Sequence, residues 1–313
     1  MENSRILSSY IKNSKLALAA RSAVSPTWKS ASWLLKLMIP ISLSVALLQH
    51  WGVLAWIAHY LNPVFLYLGL PGSSAVIFIS GAAAGTYAGL AAMMAIPLTL
   101  RQATILALMI ALCHALPMEC AVNKKTGSSF WRMAFIRLFM AFVCALIINN
   151  VLPAMDSSYI YLGAPADSSL AEVLQVWVVS QTKMALMVFL IIYLLMIVQR
   201  LLEAYSLLSP ISTLLSPLMR LFGLPEKAAY MWLVGNVLGI SYGSAVMLEL
   251  EERGQITKEE ANDVNYHLIM NHSLLEDTIV FALTGISAWW VVGTRVSFAM
   301  IVVWLHKLLR RMF

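Results

Sequence analysis

The sequence predicts an all-α, polytopic membrane protein made of two inverted-topology repeats, with about six full spans plus re-entrant or broken glycine-rich helices. Three observations predict it: an apolar composition, an internal duplication, and the placement of positive charge between spans. Of 313 residues, 60% are hydrophobic and only 12% are charged, and mean hydropathy is +0.79. A soluble domain carries roughly 25% charged residues, because water demands a polar surface and lipid does not. Several runs approach the ~20 apolar residues that cross a ~30 Å hydrocarbon core. The clearest are Trp33–Leu48, Ala103–Leu116, Ala134–Ile148, Met184–Val198 and Val291–Leu305, and a sixth span is read at about His267–Leu283.

The duplication is read residue by residue. Asn62-Pro63 followed by Gly69-Leu70-Pro71 recurs as Ser216-Pro217 followed by Gly223-Leu224-Pro225. Gly81, Gly85 and Gly89 recur as Gly235, Gly239 and Gly243, all at an offset of 154. After a four-residue insertion the offset becomes 158, which pairs His114 with His272, Glu119 with Asp277, Trp131 with Trp289 and Arg137 with Arg295. The predicted units are a basic segment over 1–30, a first repeat over 31–153, a linker over 154–174 and a second repeat over 175–313.

Loop charge sets the orientation. With a cytoplasmic N-terminus, Lys124, Lys125 and Arg132 fall inside, and the loop Asp156–Glu172 outside carries no Lys or Arg. Arg200, Arg220, Lys227, Arg253, Lys258, Lys307, Arg310 and Arg311 then fall inside as the positive-inside rule requires, and Arg101 is the exception. An odd number of crossings per unit makes the copies inverted. Both termini are expected in the cytoplasm of a bacterial inner membrane. The first 30 residues are basic and lack an apolar h-region, so no cleaved signal peptide is expected. Ile6–Ala20 reads either as a basic amphipathic surface helix or as a polar tail. The net charge of +6 is spread beside apolar spans rather than gathered in one patch, so no nucleic-acid partner is expected.

Two constellations carry candidate chemistry. The glycine-rich stretches read as helix breaks lining a cavity, with Gly85, Thr86, Tyr87, Asn236, Gly239, Ser241 and Tyr242 as candidate solute contacts. The competing reading is a small-xxx-small contact between helices. The second constellation is His114, Glu119, His272, Glu276 and Asp277, candidate groups for a coupling proton or ion, because ionisable side chains inside a span are costly. His272 and Glu276 are spaced to share a helix face, and Pro117 is placed to kink the first copy. Cys113, Met118 and Cys120 would add soft ligands for a metal, though neither cysteine has a counterpart in the second copy. Arg137 and Arg295 read as partners of these acids, as headgroup-snorkelling residues, or as contacts for an anionic substrate. Lys183 is equally open, and Glu249–Asp263 reads as a solvated loop. The cysteines lie in apolar segments and imply no disulfide framework. The chain is read as carrying no Walker motif, no G-x-S-x-G and no H-E-x-x-H, so no enzymatic activity and no cofactor are expected.

These residues resemble the nucleoside-recognition, or Gate, domain family: the Asn-Pro…Gly-Leu-Pro approach, Gly81–Gly89 and Gly235–Gly243, and the segments around His114 and His272. The resemblance covers about residues 30–300 as two Gate-like units. It implies a transporter-like fold shared with the membrane part of the ferrous-iron transporter, concentrative nucleoside transporters and spore-maturation membrane proteins. The 313 residues contain no GTPase motif of the kind that iron transporter carries. The function so implied is a secondary transporter for a small polar or ionic solute, nucleoside-like or a divalent cation. The alternatives are a membrane scaffold of spore-maturation type and a polyprenyl-phosphate or lipid flippase using Arg137 and Arg295. Expected partners are membrane lipid, the solute or ion, and a further copy or a second membrane protein.

Overall fold

A computed structural model describes residues 15–165 and 167–312. Fourteen α-helices occur among the described residues, seven from each repeat, and no strand. The first repeat contributes α1 (Lys15–His50), α2 (Val53–Tyr67), α3 (Ser74–Ala84), α4 (Thr86–Ala95), α5 (Leu100–Cys113), α6 (Leu116–Lys125) and α7 (Phe130–Val151). The second contributes α8 (Leu170–Ala204), α9 (Leu208–Leu221), α10 (Ala229–Val237), α11 (Ile240–Glu252), α12 (Lys258–Asn271), α13 (Leu274–Ala282) and α14 (Ala288–Met312). Helices are what lipid permits, since each satisfies its own backbone polar groups. The all-α polytopic expectation holds.

The duplicated signals each acquire a local cause. Gly69 and Gly223 sit at φ +72° and +74°, where a β-carbon is costly, and each ends a helix that contains a proline. Leu70 N donates to Phe65 O and Leu224 N to Met219 O, closing the same cap twice, and both leucines are buried. Thr99 with Gln102 opens α5, and Thr257 with Glu260 opens α12, each as a complete capping box. These threonines also share the offset of 158. The four-residue insertion is absorbed at α11, which has 13 residues where α4 has 10, and in a connection to α12 one residue longer. Thr257→Ala is expected to remove about 1 kcal/mol, read as a lower melting temperature of the purified protein in detergent.

Equivalent helices of the two repeats run antiparallel. At one end of the α1–α8 pair, Lys15 Nζ donates to Ala204 O at 3.0 Å and Tyr193 Oη to Ala20 O; at the other, Trp177 Nε1 donates to Ser42 Oγ. The end of α6 likewise meets the start of α12, where Asn265 Nδ2 donates to Thr126 Oγ1 at 2.7 Å and Ser128 Oγ to Asn262 Oδ1. The linker pairs with the start of α5, Leu100 N donating to Ser157 O and Tyr159 N to Leu98 O. Arg101, the outlier of the charge rule, donates to Asn149 Oδ1 at the end of α7.

Several expectations are corrected. Among the described residues, five segments are long and apolar enough to cross a membrane: α1, α5 with α6, α7, α8 and α14. The expected sixth, His267–Leu283, falls in α12 and α13, the counterpart of α5 and α6. Asp263, Asn265, His267 and Asn271, all buried there, make it too polar for a lipid-facing span. Glu249–Asp263 is not a loop, because α11 runs to Glu252 and α12 starts at Lys258. Asp263 is buried within 3.6 Å of His306, Lys307 and Arg310. Of Ile6–Ala20, residues 15–20 belong to α1 and the rest lies outside the described residues.

Candidate functional site

The site is where four helices break. In each repeat a glycine-rich stretch folds into a hairpin, α3–α4 turning at Gly85 (φ +110°) and α10–α11 turning at Gly239 (φ +99°). A β-carbon on Gly89 would lie 3.1 Å from Gly81 Cα, and one on Gly243 would lie 2.8 Å from Gly235 Cα. Both readings of the glycines therefore hold together. The central glycine makes the turn, and the flanking pair lets the two arms touch.

The partner break follows each histidine. His114 ends α5 and His272 ends α12, and the next residues, Ala115 (φ +42°) and Ser273 (φ +52°), are left-handed. That conformation costs about 1–2 kcal/mol for a residue with a β-carbon. The amides it frees are bonded to the hairpins: Ala115 N to Gly81 O at 3.1 Å and Ser273 N to Gly235 O at 3.2 Å. Pro117 thus does not kink a continuous helix. It stands in the first turn of α6, where its missing N–H costs nothing. His272 and Glu276 likewise lie on opposite sides of a break, in different helices.

A broken helix leaves carbonyls at one end and amides at the other without helical partners. Two arginines serve the first group. Arg137 Nε donates to Leu112 O at 2.9 Å, Arg295 Nε to Met270 O at 3.2 Å, and Arg295 Nη2 to His272 O at 2.5 Å. Two carboxylates serve the second, since Glu119 and Asp277 occupy the first turns of α6 and α13, where the helix dipole favours negative charge. Each arginine then closes on its acid. Arg137 Nη1 bonds Glu119 Oε2, and Arg295 Nη1 bonds Asp277 Oδ2 at 2.6 Å. Both arginines are fully buried. This overturns headgroup snorkelling, because neither guanidinium reaches the surface, and favours the reading of both as partners of the acids.

The repeats interlock across these breaks. Thr86 Oγ1 donates to Asp277 Oδ1 at 2.9 Å, and Tyr87 Oη to Glu276 Oε1 at 3.0 Å. His272 Nε2 lies 2.9 Å and His114 Nε2 3.2 Å from the same oxygen, Glu119 Oε1. The imidazole centroids are 5.0 Å apart. A cavity of about 220 Å³ opens beside them, with Gly85, Thr86, Tyr87, Ser241, Glu276 and Asp277 in its wall.

The candidate solute contacts divide accordingly. Gly85, Thr86, Tyr87 and Ser241 line the cavity, and Gly239 forms the hairpin turn beside Ser273. Asn236 is buried behind the wall, its amide donating to Trp232 O. Tyr242 is 64% exposed and faces away; as the neighbour of Ser241 on a helix it must point elsewhere. Cys113 and Cys120 are buried but stand outside the converging donors, and Lys183 lines a separate surface recess on α8. The expectation that the chain holds no G-x-S-x-G is corrected: Gly239–Gly243 spell it. The hydrolase elbow it denotes turns from strand to helix, whereas here a helix turns into a helix and Ser241 bonds no histidine.

Comparison with known proteins places this architecture. A family model described as "Gate: Nucleoside recognition" matches residues 31–129. A Bacillus subtilis (strain 168) protein named "Uncharacterized membrane protein YvoD" is 30% identical over 275 residues, covering 86% of this chain and 88% of that one. No solved structure matches the chain. With its two antiparallel copies of the same broken-helix unit, the chain belongs to the Gate, or nucleoside-recognition, family of membrane proteins.

Proposed function

We propose that this protein is a secondary transporter, a permease for a small polar or ionic solute in a bacterial inner membrane, with both termini cytoplasmic. The observation that carries the reading is the cavity beside the histidines, whose wall takes Thr86 and Tyr87 from the broken helices of one repeat and Ser241, Glu276 and Asp277 from those of the other. Transporters built from inverted repeats place their sites where discontinuous helices expose backbone groups near the bilayer midplane. Buried ionisable side chains at that depth cost several kcal/mol and persist where they serve binding or relay. Here Thr86 and Tyr87 of the first repeat grip Asp277 and Glu276 of the second. Movement of one repeat against the other must therefore break or remake bonds to these acids. That is the coupling a transporter needs between an ion and a change of access. His114, Glu119, His272, Glu276 and Asp277 form the coupling site in this reading, and Gly85, Thr86, Tyr87, Gly239 and Ser241 the solute contacts.

The test is flux in proteoliposomes across a panel of nucleosides, carboxylates and divalent metals. Glu276→Gln keeps the size of the side chain and its bond to Tyr87 while removing the charge. It is expected to reduce uptake at least about tenfold, a rise of roughly 1.4 kcal/mol or more in the transport barrier, with the protein still monodisperse. Wild-type flux from the variant would refute the site. No flux for any solute, together with a stoichiometric co-purifying membrane protein, would favour the scaffold reading.

A further inference from the structure

We propose that His114, His272 and Glu119 together bind one divalent transition-metal ion. This narrows the ion of the proposed coupling site to a chemical class, and as a binding claim it does not require that the protein transport anything.

The ring protons come first. His114 Nδ1 lies 3.1 Å from Ile110 O, and His272 Nδ1 lies 2.8 Å from Leu268 O. A carbonyl only accepts, so each Nδ1 carries the proton and donates. In a neutral imidazole the other nitrogen, Nε2, then presents a bare lone pair. Both lone pairs are aimed at Glu119 Oε1, at 3.2 and 2.9 Å, and all three donor atoms lie within 4.8 Å of one another. Three lone pairs converging in a buried site repel unless something positive stands among them.

Protons meet that need poorly. One proton, on His114, leaves His272 Nε2 facing the carboxylate with its lone pair. That atom is buried and makes no hydrogen bond, although the oxygen is 2.9 Å away. Two protons would set imidazolium rings 5.0 Å apart beside the buried guanidiniums of Arg137 and Arg295. A single metal ion satisfies all three donors at once. Bonds of about 2.0–2.1 Å in a tetrahedral site imply donor separations of roughly 3.3 Å, close to the two histidine-to-Glu119 distances, while the two Nε2 atoms lie within 4.8 Å of each other and would close in on the ion.

The surroundings match what metal ligands require. A ligating histidine donates its second ring N–H to a backbone carbonyl or carboxylate, which fixes tautomer and ring orientation; here both rings do so through equivalent carbonyls four residues upstream. Glu119 is held in turn through its other oxygen by Arg137. Two imidazoles and a carboxylate suit zinc and its first-row neighbours rather than calcium or magnesium, which prefer oxygen. The side toward the cavity leaves a position open for water or solute.

The test uses the full chain, purified in detergent and stripped with chelator, titrated with Zn²⁺ and Co²⁺. Saturable binding of one ion per chain is expected, with Mg²⁺ failing to compete and Zn²⁺ raising the melting temperature. His114→Ala, His272→Ala and Glu119→Gln are each expected to weaken binding by about a hundredfold or more, beyond what an outer-shell change does. The Co²⁺ complex should show d–d absorption without thiolate charge transfer, and Cys113→Ser with Cys120→Ser should bind as wild type. Absence of saturable binding by folded wild-type protein, thiolate charge transfer, or loss of binding in the cysteine variant would overturn the proposal. Because the assay needs no flux, binding without transport would refute only the permease reading, and transport without binding only this one.

Discussion

Arg295→Met is expected to produce the largest loss of stability, about 3–5 kcal/mol. The guanidinium is fully buried and bonds three groups: Asp277, the Met270 carbonyl and the His272 carbonyl. Truncation leaves the Asp277 carboxylate with only the Thr86 hydroxyl, and strips the guanidinium from two buried carbonyls. An unpaired buried charge costs more than the pair itself contributes. Arg295→Lys is expected to fail nearly as badly, since one ammonium cannot reproduce a planar fork reaching three acceptors. Arg295→Met combined with Asp277→Leu should recover much of the stability, because the orphaned charge goes with its partner. Thermal unfolding in detergent checks the series. Equal melting temperatures for the single and double variants would show that the ion pair is not what holds the break closed. Arg137→Met is expected to be milder, because Arg137 Nη2 has no hydrogen-bond partner and fewer bonds are lost.

Gly243→Ala is expected to lose about 1–3 kcal/mol, the range for overpacking, and to distort the cavity as well. The new methyl would sit 2.8 Å from Gly235 Cα and 3.2 Å from Gly235 N. Backbone cannot rotate aside, so the α10–α11 hairpin must open and move Gly239 and Ser241 with it. Gly89→Ala offers an internal comparison. Its nearest neighbour, at 2.8 Å, is Cδ1 of Ile110, a side-chain end that can swing away, and the backbone atom Gly81 Cα stands farther off at 3.1 Å, so a smaller loss is expected. Gly293→Ala in α14 meets nothing within 4 Å and should be neutral or stabilising by up to about 1 kcal/mol through helix propensity. If all three melt alike, the close approach of the hairpin arms is not what selects glycine.

Much of the architecture was legible because duplication writes the same physical requirement twice. A glycine at the same place in both copies marks a turn that a β-carbon would strain. The pairs His114 with His272, Glu119 with Asp277 and Arg137 with Arg295 mark one buried network. The capping boxes at Thr99 and Thr257 were equally readable, being Thr-x-x-Gln and Thr-x-x-Glu at the common offset. A span is legible over 267–283, but α12 carries Asp263, Asn265, His267 and Asn271, polar groups that only a covering of protein, not of lipid, accommodates. Glu249–Asp263 misled for a related reason: charge along a chain does not reveal that Asp263 lies beneath Lys307, Arg310 and the imidazole of His306.

What the sequence determined by itself is therefore the repeat, its apolar spans, its breaks and the residue types that meet there. These follow from local rules: the length of a lipid crossing, the cost of a β-carbon at positive φ, and the scarcity of charge in a membrane. Tertiary structure alone decided which charges neutralise which. Helix periodicity put His272 and Glu276 on one face. The left-handed Ser273 between them sends His272 to Glu119 of the other repeat and Glu276 to Tyr87. A single backbone reversal redirects every side chain after it, and only the packed partner, here the Gly235 carbonyl holding Ser273 N, stabilises that reversal.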